Sequence, residues 1–256
     1  MITYFHISES TDASWNLAFE EYLLRNVRDG EIFLLWRNDR SVILGKNQVA
    51  AAEVDLGFAR ENGIRVYHRI TGGGAVYHDL GNVNFSRIVD YDPESPPRLA
   101  DLLSPIVNAL RQMGLPAVTS SRNDLLVDGK KICGTAYAID KGHAARTAGS
   151  SLLSVSSNSQ ILSRDDMEHP KNDRLLVHGC LLFSVDLTLL SRVLTPPPEK
   201  LARHGIPSVR SRVARIADCL PGLSVEDFMG RLAASIREGR EVVPLAGRVG
   251  SKIDAL

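Results

Sequence analysis

Short β-rich runs are interspersed with amphipathic helical segments along this chain. A run such as EIFLLWR, bounded by turn residues, is typical of a buried strand. A parallel α/β fold would place a helix between successive strands, and this sequence lacks that regular period. We therefore predict an α+β fold with a mixed or mostly antiparallel sheet flanked by helices. The predicted strands are residues 31–37, 41–45, 64–69, 83–88, 124–127 and 130–133.

Turn and capping residues refine this prediction. Asp128-Gly129 lies between two β-rich runs and is the strongest hairpin signal in the chain. Asn38-Asp39-Arg40 separates residues 31–37 from 41–45 and predicts a second hairpin. Polar residues 10–14 precede the first apolar helical face and supply candidate N-caps. The predicted helices are residues 15–23, 99–110, 187–194, 209–217 and 225–236, and long loops are predicted over 141–174 and 195–208.

Composition excludes several classes of protein. The 256 residues include 30 basic and 30 acidic side chains, so the total charge indicates neither a nucleic-acid nor a membrane-surface partner. The N-terminus lacks the pattern of a signal peptide, and no apolar run is long enough to cross a membrane. Three cysteines without a CxxC pair give no disulfide framework. We expect a cytoplasmic protein with a hydrophobic core of ordinary size.

The segment HRITGGGAVYHDLGN, residues 68–82, is the most informative for function. Three successive glycines allow the backbone to approach a ligand closely and to direct N–H groups at anionic oxygens. Arg69 adds a fixed positive charge, which suits a phosphate or a carboxylate. A flexible turn is the alternative interpretation of a GGG run.

Other candidate residues are ambiguous when taken singly. Lys130 and Lys131 follow the predicted turn, and strand alternation sends them to opposite faces, so at most one can enter a cleft. Periodicity does not decide which. His178-Gly179 before an apolar run is typical of a turn, and Cys180 beside it is either a buried small residue or a thiol nucleophile. The histidines show no metal-ligand spacing.

Taken together, these motifs resemble the lipoate-protein ligase A family. RITGGGAVYHDLGNVNFS is similar to the family signature of an arginine, a Ser or Thr, GGG and HDLGN. NDLLVDGKKICGTA resembles its Asn-Asp strand, Gly-Lys-Lys turn and small-residue segment, with Cys133 where serine is common. LLWRNDRSVILGKNQ resembles the early hairpin, and HGIPSVRSRV resembles the late loop.

The resemblance implies an activity and roles for residues. The activity is ligation of lipoate to a lysine of an acceptor protein through lipoyl-AMP, with ATP and Mg²⁺. Lys131 would be the catalytic lysine, and Asp124 would face the nucleotide or its metal. Trp36 would line the pocket for the dithiolane tail, and His178 would lie beside the acyl chain. The remaining implied binding residues are Arg69, Thr71, Gly72, Gly73, Gly74, Ala75, His78, Asn82, Asn123, Gly134, Thr135, Ala136 and Gly179.

The chain also departs from the family pattern. The stretch between Ala136 and His178 is longer than usual, so we predict an inserted loop over residues 141–174, with an alignment through 149–153 as the alternative. His68 replaces a common arginine. We predict a catalytic domain over residues 1–240 and a C-terminal tail over 241–256. The small accessory domain of many ligases is not recognisable, so a separate accessory-domain protein is an expected partner for adenylation.

Acceptors implied by the resemblance are a lipoyl domain, the glycine-cleavage H protein or a specialised lipoate-binding protein. Two other functions remain open at this point. One is a lipoyl or octanoyl transferase of the same fold, which would use a cysteine thioester or preformed lipoyl-AMP. The other is a non-catalytic lipoate-binding module, which would not require Lys131.

Overall fold

The computed structural model describes residues 2–120, 123–142, 172–194 and 213–245. The strands are Thr3–Ile7 (β1), Glu31–Trp36 (β2), Ser41–Leu44 (β3), Arg65–His68 (β4), Val76–His78 (β5), Asn82–Tyr91 (β6), Val118–Thr119 (β7), Asp124–Val127 (β8), Lys130–Asp140 (β9), Asp173–Leu182 (β10) and Val242–Pro244 (β11). The helices are Ala13–Asn26 (α1), Ala50–Glu53 (α2), Leu56–Glu61 (α3), Leu99–Gln112 (α4), Leu187–Val193 (α5), Val225–Arg237 (α6) and a short 3₁₀ helix, Ile216–Asp218.

Within the described residues the strands form two sheets. The main sheet has eight strands in the order β11-β1-β2-β6-β10-β9-β8-β7, and the small sheet has three in the order β4-β3-β5. In the main sheet, β1 is parallel to β2 and to β11. The neighbouring pairs β2–β6, β6–β10, β10–β9, β9–β8 and β8–β7 are antiparallel. The predicted α+β class with a mixed, mostly antiparallel sheet is confirmed.

The main sheet is covered on both faces, because its central strands alternate apolar side chains to each side. Phe33 and Leu35 of β2 lie in one core with α4 and α6. Ile32 and Leu34 lie in a second core with α1, on the opposite face. A third core joins the small sheet to α5 and to the end of β10. The small sheet and α1 therefore flank the same face of the main sheet.

Local sequence signals explain several of these elements. The side chain of Asp12 accepts hydrogen bonds from the N–H groups of Ser14 and Trp15, which begins α1 where the N-cap residues predict. Asp128 and Gly129 have φ angles of 49° and 75°, as a type I′ turn requires, and the predicted hairpin between β8 and β9 is confirmed. α4 and α6 agree closely with their predicted bounds.

The predicted hairpin through residues 38–40 is wrong. β2 pairs with β1 on one edge and β6 on the other, so no edge remains for β3, which enters the small sheet. The connection is held elsewhere: the N–H of Asp39 donates to the carbonyl of Thr11 at 2.8 Å, and the side chain of Asn38 is fully buried.

Two further predictions near the C-terminus need correction. Val213 to Arg215 are not helical, because Val213 forms a parallel bridge with Lys131 and the Ala214 N–H donates to the Lys131 carbonyl. Residues 242–244, predicted as tail, form the edge strand β11 beside β1. β10 takes in the last two residues of the predicted 141–174 loop. Residues 143–171, 195–212 and 246–256 of the predicted loops, late helix and tail lie outside the described residues.

Candidate active site

A cross-strand row of five residues forms the floor of a cavity. The sheet register aligns Trp36 of β2 with Asn84 of β6, Asn84 with Cys180 of β10, Cys180 with Gly134 of β9, and Gly134 with Asp124 of β8. Residues directly opposite one another in neighbouring strands share a face of the sheet. All five border one cavity of about 350 Å³. We call this set the floor row.

Lys131 lies at the acidic end of the floor row. Its Nζ is 2.8 Å from Oδ1 of Asp124, and its side chain is 36% exposed. Gly134 provides room for it, since a Cβ at that position would lie 3.1 Å from the lysine Nζ. Lys131 borders the cavity, while Lys130 is exposed and does not. Strand alternation alone left open which lysine enters the cavity, and the β8–β9 register decides it. After an irregularity at Leu125 and Leu126, Lys131 pairs with Leu126, which lies two positions after Asp124 and so on the cavity face.

The glycine segment forms the wall opposite the floor row. Arg69 is 9% exposed and makes four hydrogen bonds: Nε to Thr71 Oγ1, Nη1 to the Ile43 carbonyl, and Nη2 to the carbonyls of Gly72 and Gly74. Burial lowers the pKa of Arg69 and the nearby carboxylate of Glu20 opposes the shift, but a guanidinium remains protonated. Arg69 therefore fixes the shape of the loop from inside, rather than presenting a free fork to a ligand.

A buried hydrogen-bond chain connects Trp36 of the floor row to Thr71 of the glycine segment. Nε1 of Trp36 donates to Ser86 Oγ at 2.9 Å, and the Ser86 hydroxyl donates to Glu20 Oε1 at 2.5 Å. Glu20 comes from α1, is 1% exposed and also contacts Nδ1 of His178 at 2.9 Å. A carboxylate only accepts, so the proton on this side of His178 lies on Nδ1.

The chain continues from His178 to the glycine segment. Because Arg69 donates to Thr71 Oγ1, the Thr71 hydroxyl is free to donate to His178 Nε2 at 2.8 Å. Each hydrogen bond of the chain then has one donor and one acceptor. Glu20 was missed by the sequence analysis, since a glutamate within a helix carries no local sign of a histidine partner far along the chain.

This chain of hydrogen bonds predicts a stability effect at Glu20. In Glu20→Gln an amide NH₂ replaces one accepting oxygen and faces the donors of Ser86 or His178, which should cost about 1–3 kcal/mol. The measurement is the free energy of unfolding in urea. Glu21→Gln is the matched control, because Glu21 is partly exposed and pairs with Arg25 on the same helix. Equal unfolding free energies for the two variants would contradict the assigned chain.

The HDLGN segment supports the site from behind. Oδ1 of Asp79 accepts from the Gly81 N–H and Oδ2 from the Asp186 N–H, both at 2.9 Å. Asn82 is buried and donates to the Tyr77 carbonyl at 2.8 Å. These contacts hold β5 against the start of β6 and α5, so His78 at the end of β5 is fixed at the cavity wall.

Cys180 at the cavity and Cys133 in the core behind it have the properties of inert thiols. Cys133 is fully buried and Cys180 is 7% exposed. Burial raises the pKa of both thiols, and it outweighs the positive charge of Lys131, which acts in the opposite direction on both. A nucleophilic cysteine needs the opposite environment. The geometry therefore gives no support to a cysteine thioester mechanism.

The sequence of this chain is similar to a known family of proteins over most of its length. A model of the lipoyl protein ligase A/B catalytic domain matches residues 12–164 and 167–237. The chain belongs to this family. It is 35% identical over 233 residues to lipoate-protein ligase LplJ of Bacillus subtilis, covering 90% of this chain and 61% of that protein. It is 38% identical over 220 residues to lipoate-protein ligase 1 of Staphylococcus aureus, covering 85% of this chain and 58% of that protein. The chain thus spans about three fifths of the length of these relatives.

Solved structures of ligases resemble the chain over nearly its whole length. A Thermoplasma acidophilum putative lipoate protein ligase with bound lipoic acid has a TM-score of 0.70 and 26% identity, covering 100% of this chain and 92% of that one. A bi-partite lipoate protein ligase, solved in a study with its E2 lipoyl domain from the same organism, has a TM-score of 0.68 and 29% identity, covering 99% and 91%. Lipoate-protein ligase A bound with ATP has a TM-score of 0.70 and 28% identity, covering 99% and 95%.

The cavity of this family member brings together most of the predicted site residues. Thr71, Gly72 and Asn82 do not border it: Thr71 and Asn82 are buried behind the wall, and Gly72 is exposed. The sequence analysis missed Asn84, although polar residues alternate with apolar ones in NVNFS and mark one polar face of that strand. The predicted residues that border the cavity are Trp36, Arg69, Gly73, Gly74, Ala75, His78, Asn123, Asp124, Lys131, Gly134, Thr135, Ala136, His178 and Gly179.

The charged end of the cavity has one carboxylate, that of Asp124, which could contribute a ligand to a metal ion. Among the described residues, no cluster of three or more His, Cys, Asp or Glu side chains could hold a metal ion. Asp124 is a single carboxylate whose Oδ1 already contacts Lys131. One carboxylate suits Mg²⁺ that arrives with a nucleotide, because such an ion takes most of its oxygens from phosphates and water. In the same described part of the chain, no helix has both the length and the apolar character needed to cross a membrane.

Proposed function

We propose that this chain attaches lipoate to a lysine of an acceptor protein through a lipoyl-AMP intermediate. The observation that carries the proposal is the floor row, which has Trp36 at one end and the Asp124–Lys131 pair at the other. Strands about 4.8 Å apart make the row about 19 Å long, which suits an acyl tail and a phosphate in one cavity. Lipoic acid is bound in one of the structural neighbours described above, the putative ligase of Thermoplasma acidophilum. ATP is bound in another, lipoate-protein ligase A.

The ammonium of Lys131 would act in both half-reactions. In the first, a lipoate carboxylate oxygen attacks the α-phosphorus of ATP, a phosphoanhydride bond breaks, and pyrophosphate leaves. In the second, the acceptor amine attacks the acyl carbon of the mixed anhydride, loses a proton, and AMP leaves. Both steps place negative charge on oxygens of the α-phosphate, where a fixed ammonium stabilises the transition state. Asp124 would hold Mg²⁺ bound to the phosphates, and the ion would neutralise the leaving pyrophosphate.

The other wall residues would position the adenylate. Gly73, with a φ angle of 95°, and Gly74 would bring backbone close to the phosphate, in a loop that Arg69 holds in shape. Trp36 would pack against the acyl tail, with its indole fixed by Ser86. These roles carry over the assignments implied by family resemblance, and the cavity geometry supports them.

Mass spectrometry of an acceptor separates this function from its competitors. The purified chain is incubated with an apo lipoyl domain and one of four acyl sources: lipoate with ATP and Mg²⁺, lipoate without ATP, synthetic lipoyl-AMP, or a lipoyl thioester of an acyl-carrier protein. A ligase lipoylates the acceptor lysine in the first and third mixtures. Lipoylation from an acyl-carrier thioester without ATP or lipoyl-AMP would support a transferase instead. Binding of lipoate without lipoylation in any mixture would make the chain a binding module.

We further propose that activation by ATP is slow without a small second protein, whereas transfer from lipoyl-AMP does not require it. The neighbour named as a bi-partite ligase matches 99% of this chain, which supports a division of this kind. We expect lipoylation from lipoyl-AMP to proceed at least about tenfold faster than pyrophosphate release from ATP by the isolated chain. Equal rates for the two reactions would show that the chain activates lipoate unaided. A lipoyl domain is the proposed acceptor, and a cytoplasmic location remains a prediction.

A further inference from the structure

Asn84 is a buried polar side chain that other described residues leave unsatisfied. It lies in the middle of the central strand β6, is 1% exposed and borders the cavity. Neither Nδ2 nor Oδ1 has a hydrogen-bond partner in the described ranges. A buried amide without partners costs a folded protein about 1–3 kcal/mol, and the large majority of buried polar side-chain atoms do have a partner, so an unpaired amide beside a cavity requires an explanation.

His78 supplies a second unsatisfied group on the same cavity. Asn16 Nδ2 donates to the Ser10 and Arg37 carbonyls, which fixes that amide as a donor toward Asn38 Oδ1. Nδ2 of Asn38 therefore faces His78 Nδ1 at 3.1 Å, and this nitrogen must accept.

The proton of His78 is consequently on the other ring nitrogen. Burial, reinforced by the positive charge of Arg69, lowers the pKa of His78 to about 3, so the ring is neutral. A neutral ring that accepts at Nδ1 carries its proton on Nε2. This Nε2–H is buried and lacks a partner among the described residues. It is a free donor at the cavity wall.

Both groups adjoin Trp36, at the end of the floor row far from Lys131. Asn84 is the cross-strand neighbour of Trp36, and the ring of His78 lies edge-on to the indole with centroids 6.1 Å apart. An acyl chain whose carboxyl end is at Lys131 has its tail here. A hydrocarbon tail would cover the two N–H donors without pairing them, whereas divalent sulfur atoms are weak acceptors with large polarisable surfaces.

We propose that Asn84 and His78 bind the sulfur atoms of the acyl tail and so select a sulfur-containing acid over a hydrocarbon of the same shape. The inference rests on the proposed function, because the position of the tail follows from placing the carboxyl group at Lys131. Asn84 is the specificity-determining residue, since its amide lies in the floor row itself.

The test compares two ligands of equal shape on the full chain. Lipoate and 5-cyclopentylpentanoate differ only in the replacement of two ring sulfurs by methylenes. Isothermal titration measures the Kd of each acid without requiring any turnover. We expect wild type to bind lipoate about tenfold more tightly than the carbocyclic acid, the effect of one or two weak hydrogen bonds. Equal affinities of wild type for the two acids would overturn the proposal. This outcome does not depend on whether any substituted protein folds.

Variants then assign the selectivity to a residue. Asn84→Leu replaces the amide with two methyl groups of similar size, and the tenfold preference should fall to about twofold or less. Asn108→Leu is the matched control, because it makes the same chemical change at an exposed position of α4 that does not border the cavity, and it should leave the ratio of the two Kd values unchanged. Asn84→Leu with an unaltered ratio would overturn the role of Asn84. If wild type binds neither acid nor lipoyl-AMP, the proposed function fails and this inference fails with it.

Discussion

Lys131→Ala is expected to lower the rate of acceptor lipoylation from lipoyl-AMP by about two to three orders of magnitude. The Lys131 ammonium is the cation that the structure places at the acidic end of the cavity, 2.8 Å from Asp124. Removing one charge-assisted contact to a developing oxyanion in a partly dry site has an effect of this size. The measurement is single-turnover transfer to an apo lipoyl domain, which isolates the second half-reaction.

Lys130→Ala is the matched control for this experiment. Lys130 precedes Lys131 directly, has the same charge and lies exposed on the opposite face of β9. Its replacement should change the rate by less than about threefold, the effect of one screened surface charge. Comparable losses in both variants would show that the turn contributes only general positive charge, and Lys131 would lose its catalytic assignment.

Gly45→Ala is expected to lower the same rate by about 100-fold while the protein remains folded. A Cβ at Gly45 would lie 2.2 Å from the carbonyl oxygen of Gly73, where no real contact of this kind occurs. Because the clash is with backbone, the glycine segment must move by about 1 Å, a displacement that can cost two orders of magnitude in rate. Gly45 does not border the cavity, so the effect would be transmitted through the loop.

The measurement for Gly45→Ala is kcat/KM for lipoyl-AMP, together with the melting temperature. Gly230→Ala is the control: a Cβ there meets nothing within 4 Å, and alanine favours the helix α6. It should retain the rate of wild type. A Gly45→Ala enzyme with unchanged kcat/KM would show that the position of the Gly73 carbonyl is unimportant for the adenylate.

Local chemistry in the sequence was sufficient for much of the fold. The type I′ turn at Asp128-Gly129 is encoded by two residues that tolerate positive φ, so the β8–β9 hairpin needed no tertiary information. The start of α1 follows from the capping side chain of Asp12, and apolar periodicity predicted α4 and α6. Family resemblance also predicted most of the residues that now border one cavity.

Which strands pair with each other depends on competition between strands for the same partner, and no local sequence pattern specifies its outcome. The sequence of residues 31–45 is compatible with a hairpin, yet β2 has both edges occupied by β1 and β6, so β3 pairs elsewhere. Val213 illustrates the same point, because it forms a bridge to Lys131 at a position where a helix was predicted. Strand pairing depends on which partners are within reach, and this is a property of the whole chain.

The cavity contains chemical groups that the sequence specifies, at positions and with partners that only the tertiary structure specifies. The sequence determined which chemical groups are present: the GGG loop, Arg69, the lysine pair and His178. Only the structure decided that Lys131 rather than Lys130 enters the cavity, and that Arg69 is occupied by its own loop. It also decided that Glu20 reaches His178 across 158 positions of the chain. Hydrogen bonds and ion pairs act over a few ångströms in space, so partners distant in sequence are fixed by packing and register rather than by any pattern along the chain.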